Sequence, residues 1–150
     1  MREKFNDALK KAMKSGDKRK VATLRLINSA LKDRDIEARG QGKERTSDDE
    51  ILQLLQKMIK QRNDSIEAFD KAGRIDLATQ EREEKAIIEA YLPSQMSADD
   101  VRAAAKAAVA AVGAASVKDM GKVMTELKAK YAGRMDFSKA NAVVKELLTT

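Results

Sequence analysis

The chain has 150 residues, 43% of them apolar, enough for one ordinary domain or for two small ones with a core each. It contains neither cysteine nor histidine, which excludes disulfides and thiolate metal sites and removes the commonest general base and metal ligand. Net charge is +6, unevenly placed: residues 1–45 carry +7, residues 46–93 carry −4 and residues 94–150 carry +3, so a polyanion would find the two ends attractive.

With one proline and seven glycines there are few places where a helix must stop, and the segments between them follow 3.6-residue periodicity. The predicted class is all-α, with an N-terminal domain of about four helices over residues 1–93 and a three-helix domain over residues 94–150. In the first helix Phe5, Leu9, Ala12 and Met13 form the apolar stripe, ending before Ser15-Gly16. Its basic flank (Arg2, Lys4, Lys10, Lys11, Lys14) is shared by membrane-surface helices, but the stripe is short and packing against neighbouring helices is the expected use. No run resembles a signal peptide, and none approaches the roughly 20 apolar residues that span a bilayer. A soluble, cytoplasmic protein without membrane contact is expected.

The second helix carries Val21, Leu24, Ile27, Ala30 and Leu31 and stops before Gly40 and Gly42. Gly40-Gln41-Gly42-Lys43 hints at a phosphate loop, yet Glu37 stands where a glycine is needed, Glu44 stands where a serine or threonine is needed, and no strand precedes it. It is read as a connection between helices. Ser47 and Glu50 have the capping-box spacing, and Ile51, Leu55, Met58, Arg62, Ile66 and Phe69 trace a long third helix, with Arg62 expected to snorkel outward and Gly73 as the end. The fourth begins near Ile75 and uses Ile87, Ile88 and Tyr91. Here Glu81 and Lys85 are spaced as an i,i+4 pair, and Glu81, Glu83 and Glu84 beside Arg82 and Lys85 read as a salt-bridged surface rather than as metal ligands or an acid/base pair.

The lone proline, Pro93, biases Leu92 away from helical geometry and marks the domain boundary. Ser97 with Asp100 opens a fifth helix carrying Val101, Ala104, Ala105, Ala108, Val109 and Val112, closed by Gly113, and its alanine run reads as a closely packed helix. Ser116 with Asp119 opens a sixth, with Met120, Val123, Met124, Leu127 and Tyr131 inward and its end near Gly133. Asp136 is the expected N-cap of a seventh, with Phe137, Ala140, Val144 and Leu147 inward.

No serine has a histidine to activate it, and although a serine-lysine arrangement is formally open, Ser15, Ser47, Ser97 and Ser116 are better explained as helix-terminal residues. No catalytic residue, cofactor site or metal site is expected. What remains is basic: Lys18, Arg19, Lys20 and Arg25 at the opening of the second helix, and Lys118, Lys122, Lys128, Lys130, Arg134, Lys139 and Lys145 through the last two. Lys118 and Lys122 lie one turn apart with Gly121 exposing backbone between them, so ammonium groups and main-chain amides would meet a phosphate together. Aromatics at 3% are too few for stacking platforms, so a nucleic-acid target would be a folded RNA read through backbone and shape.

Four stretches carry a family resemblance: EKAIIEAYLPSQMS (Glu84 to Ser97), TLRLINSA (Thr23 to Ala30), KQRNDSI (Lys60 to Ile66), and DMGKVM (Asp119 to Met124) followed by Gly133-Arg134. Over nearly the whole chain they resemble the GatB/YqeY family. The resemblance implies a helical N-terminal domain and a smaller helical C-terminal one, related to the tail of the GatB component that helps to hold tRNA in the glutamyl-tRNA amidotransferase. Carried over by residue, Gly121, Lys122, Met124, Gly133 and Arg134 would lie on the shared surface. Of these Gly121 has a local reading in close helix packing, Met124 in the core and Gly133 as a C-cap, whereas Lys122 and Arg134 have no obvious local task. The expected function is a tRNA-associated accessory protein without its own catalytic site, whose nucleic-acid-binding residues are Lys118, Lys122, Arg134, Lys139, Lys18, Arg19 and Arg25. The alternatives are a protein-binding adaptor, with a partner from the translation or tRNA-charging machinery, and a component of a tRNA-dependent amidotransferase, a carbon-nitrogen ligase with glutamine as amido-N-donor.

Overall fold

A computed structural model describes residues 1–149, and among them the only regular elements are helices. They are α1 (Arg2–Ser15), α2 (Lys18–Gly40), α3 (Asp48–Lys71), α4 (Ile75–Glu89), α5 (Ala98–Val112), a 3-10 turn (Val117–Asp119), α6 (Met120–Tyr131) and α7 (Phe137–Thr149). Local chemistry sets their ends. Ser47 and Ser97 each accept a hydrogen bond from the backbone N–H three residues on, while Glu50 and Asp100 accept in turn from the serine N–H, so orphan amides at the starts of α3 and α5 are satisfied. Gly16 and Gly113 close α1 and α5 in the left-handed conformation (φ 74° and 66°), which a side chain would disfavour. No helix is long and apolar enough to cross a membrane, among the described residues.

The helices form two compact units, Met1–Leu92 and Pro93–Thr150. In the first, Phe5, Leu24, Ile27, Ile51, Leu55 and Ile88 are fully buried, and Tyr91 meets Phe5 edge-on with ring centroids 5.1 Å apart. Helix α1 lies along α2, and α4 lies along α3 and also touches α2. In the second, three alanines of α5 (Ala104, Ala105, Ala108) meet Val123 and Leu127 of α6 and Ala140 and Val144 of α7, with Met135 filling the turn between the last two helices. Small side chains let these backbones approach closely at the cost of apolar area per residue.

Three expectations are corrected. Met13 does not join the α1 stripe; it is 54% exposed, because α1 packs chiefly on α2 and that single contact leaves only Phe5 and Ala12 buried, with Ala8 and Leu9 at the margin. Arg62 does not snorkel to solvent but turns inward to Glu84, 3.6 Å away, with only 13% and 10% of the two side chains exposed. Lys85 pairs with Glu89 at 3.7 Å rather than with Glu81.

A further tie joins the start of α1 to the far end of α2. Arg2 donates two parallel hydrogen bonds to Asp35, each 2.7 Å, and a third to the Thr46 carbonyl at 2.9 Å, while the Thr46 N–H donates to Asp35 at 2.9 Å. This fork holds the loop between α2 and α3 against the start of α1. The Arg2 guanidinium, followed by the Thr46 amide, holds the Asp35 carboxyl far below the usual carboxylate range against the opposing effect of burial. Because the folded form has the lower pKa, the stabilisation is complete above the unfolded value of about 4 and is lost as pH falls through the folded one. Asp35→Asn is expected to cost about 2 kcal/mol in urea unfolding at neutral pH, with the gap from the parent chain closing as the pH is taken below about 4.

Candidate nucleic-acid interface

Helix α2 begins at Asp17, whose carboxylate accepts the Lys20 N–H at 3.1 Å and is thereby occupied with the helix end. Lys18 and Arg25 follow seven residues apart, so they share the outward face of α2, and both are exposed. Lys32 continues the same register, a repeat visible in the sequence once α2 is seen as one uninterrupted helix. Arg19 differs. It donates its Nε–H to Glu83 of α4 at 3.2 Å, and its carbonyl accepts the Thr23 hydroxyl at 2.9 Å, so it serves as a tie between α2 and α4.

Arg19 belongs to a charged junction of three helices. Arg62 of α3 faces Glu84 of α4, and Glu81 of α4 lies within the field of Glu84, Arg62 and Arg19. Burial, then repulsion from Glu84, pushes the Glu81 carboxyl above its ordinary value, and the two arginines pull the other way. This junction was hidden in the sequence, although one signal pointed to it: a charged residue, Arg62, placed on the apolar stripe of α3. Glu84 is buried and is not part of a solvated surface. Among the described residues no three carboxylates come together as a metal site would require.

In the second unit Asp119 accepts the backbone N–H groups of Ala115 and Ser116 at 2.9 and 3.3 Å, and these bonds hold its carboxyl below the usual range, with Lys122 adding to the effect. Lys118 in the 3-10 turn and Lys122 at the entry to α6 are both exposed, one turn apart, and among the described residues neither has an acid within ion-pairing distance. Gly121 stands between them with nothing within 4 Å of where a Cβ would lie, so it makes no close helix contact, contrary to its packing reading. Met124 is half-buried against the core, and Gly133 is buried in the left-handed conformation (φ 77°).

Arg134 is engaged locally. Its Nε–H donates to the Ser94 carbonyl at 3.2 Å, its guanidinium carbon lies 6.0 Å from the Tyr131 ring centre, and its own carbonyl accepts the Met96 N–H at 2.9 Å. Beside it Gln95 donates to the Gly133 carbonyl at 2.6 Å. The Gly133-Arg134 turn therefore clasps the segment leading into α5, a task that the sequence alone left unassigned. Lys139 lies exposed in the first turn of α7, near this turn in the chain, whereas α6 rises about 13 Å from Lys122 to its last residue, Tyr131. Lys118 and Lys122 thus form one group, and Lys139 stands apart from them. Lys130 is taken up by Glu126 at 2.8 Å, and Lys128 and Lys145 are exposed.

The family described as Yqey-like protein matches residues 2–148. The chain is also similar to proteins named "Altered inheritance of mitochondria protein 41, mitochondrial". It is 39% identical to that of Lachancea thermotolerans over 56% of this chain and 43% of that protein. For that of Eremothecium gossypii the figures are 33%, 66% and 52%, and for that of Clavispora lusitaniae 37%, 61% and 51%. The chain spans about half the length of these curated relatives. Their names correct the cytoplasmic expectation, since they point to mitochondria; lack of cysteine and of spanning segments reports on redox state and solvent, which are not an address.

If the Arg134 guanidinium works as a clasp, Arg134→Ala will lower the stability of the chain by about 1–2 kcal/mol through loss of the Ser94 hydrogen bond and the contact with Tyr131. Thermal and urea unfolding measure this, and an unchanged midpoint would return Arg134 to the set of free cations.

Proposed function

Since the chain belongs to the YqeY-like family, we propose that it is a tRNA-associated binding protein without a catalytic site of its own. Phosphates are met by Lys118 and Lys122 at the entry to α6 and by Lys18 and Arg25 on the outward face of α2. The observation that carries this reading is the separation of two kinds of cation. Arg2, Arg19, Arg62 and Arg82 are committed to carboxylates of their own unit, while Lys118, Lys122, Lys18 and Arg25 stay exposed without such partners among the described residues. Around Lys122 the bare Gly121 backbone also lets a phosphate oxygen come close to main-chain amides at the start of a helix. The GatB/YqeY resemblance supports tRNA as the RNA concerned. Catalysis has little to draw on, with no histidine and no cysteine, and with Glu84 and Asp35 occupied by arginines. An amidotransferase component, read this way, would take its reacting groups from another chain.

A protein-binding adaptor is the second reading. Leu26 and Ile36 favour it, being 45% and 57% exposed on α2, where another helix would cover them.

Filter binding of total tRNA to the full chain over a salt series tests the first reading. Log affinity is expected to fall against log salt with a slope of about −0.7 to −0.9 per phosphate neutralised, and Lys118→Glu with Lys122→Glu should flatten it by about two phosphates' worth. Gly121→Ala should raise stability by about 0.5–1 kcal/mol, as for any exposed helical glycine, while weakening tRNA binding. An unchanged slope in the double variant removes this surface, and complexes that survive nuclease without any tRNA shift favour the adaptor.

A further inference from the structure

The outward turn of Met13 creates a surface at the tip of the α1–α2 hairpin that the tRNA reading shares only at Lys18. Lys10, Lys11 and Lys14 are exposed on the last two turns of α1, and Lys18 and Lys20 begin α2 across the Gly16 turn, Lys20 half-exposed. The nearby acids do not answer them: Asp17 is turned onto the Lys20 N–H, and Asp7 forms no ion pair among the described residues. At 100° per residue Met13 lies between Leu9, at the margin of the core, and Lys10, with Lys14 next on the solvent side and Lys11 on the opposite flank of the helix, so its apolar chain is bordered on the solvent side by two ammonium groups.

We infer that this hairpin tip docks on an anionic lipid surface, with Met13 entering the boundary of the acyl region and Lys10 and Lys14 reaching back to lipid phosphates. Charge complementarity and the exposed apolar chain select this occupant jointly. A polyphosphate backbone would satisfy the lysines and leave the methionine in water, and no aromatic ring stands exposed at the tip on which a base would stack, Phe5 being fully buried. A lipid surface takes both, because lysine stems lie along apolar material while their heads remain in the headgroup layer. Several basic residues beside one apolar anchor give a reversible attachment that weakens with salt, not an insertion. The α1 hydrophobic stripe plays no part, since Phe5 and Ala12 remain in the core.

The test is flotation of the full chain with vesicles of phosphatidylcholine alone or with added phosphatidylglycerol, at low salt. Binding is expected only to the anionic vesicles. It should fall about fivefold for each of Lys10→Glu and Lys14→Glu relative to the parent chain, fall about tenfold in Met13→Ser, and persist in Met13→Leu, which keeps the apolar chain. The same variants are carried through tRNA filter binding, where no change is expected. The proposal is overturned if the chain does not float with anionic vesicles, if Met13→Ser floats as well as the parent, or if the lysine reversals abolish tRNA binding and leave flotation intact. Because Lys118→Glu and Lys122→Glu lie in the other unit, failure of the tRNA reading and failure of this one are told apart.

Discussion

A guanidinium and a carboxylate held nearly out of water must answer one another, and the pairing of Arg62 with Glu84 sets how α3 and α4 lie together. Removing either partner would leave a charge stranded at the edge of a core built from Leu55, Met58 and Ile88, a cost of roughly 3–5 kcal/mol for a fully buried pair and less for one with this residual exposure. Once that register is set, the rest of α4 follows. Glu83 comes opposite Arg19 of α2, Arg82 opposite Asp70 of α3 at 2.5 Å, and Glu81 is left in the shared field of two arginines and a neighbouring carboxylate. The acidic middle of the chain is therefore largely consumed inside its own unit.

That consumption has a functional consequence. The basic excess in residues 1–45 is not a uniform positive coat, because Arg2, Arg19, Arg34 and Lys43 are paired with Asp35, Glu83, Glu37 and Glu50. Those that remain sort by neighbourhood. Lys18 and Arg25 repeat along the outer face of a helix, suited to following a phosphate backbone, whereas Lys10 and Lys14 border an exposed methionine.

The second unit solves a different problem with fewer means. Its core is made mostly of alanine and valine, with little area per residue to bury, and it is drawn together by hydrogen bonds around the Gly133-Arg134 turn that hold the approach to α5. A residue that looked free for a ligand is in this way employed by the fold. Lys122 keeps its freedom because the acid beside it, Asp119, is committed to two backbone amides.

Helix positions, caps and the inward faces of α2, α3, α5, α6 and α7 were legible in the sequence, because each depends on residues within one or two turns: Ser47 with Glu50, Ser97 with Asp100, and apolar residues every third or fourth place. By itself the sequence also determined that the chain is helical and lacks histidine and cysteine chemistry, and four short stretches were enough to indicate the family. Which charges are free and which are structural was decided only by tertiary packing. The partners of Arg2, Arg19 and Arg134 lie 33, 64 and 40 residues away, and no local pattern encodes a distance of that kind. The place of Met13 depends likewise on how many helices α1 meets. A stripe in the sequence tells which side of a helix is apolar, and the number of neighbours that actually arrive determines how wide a part of that side is covered.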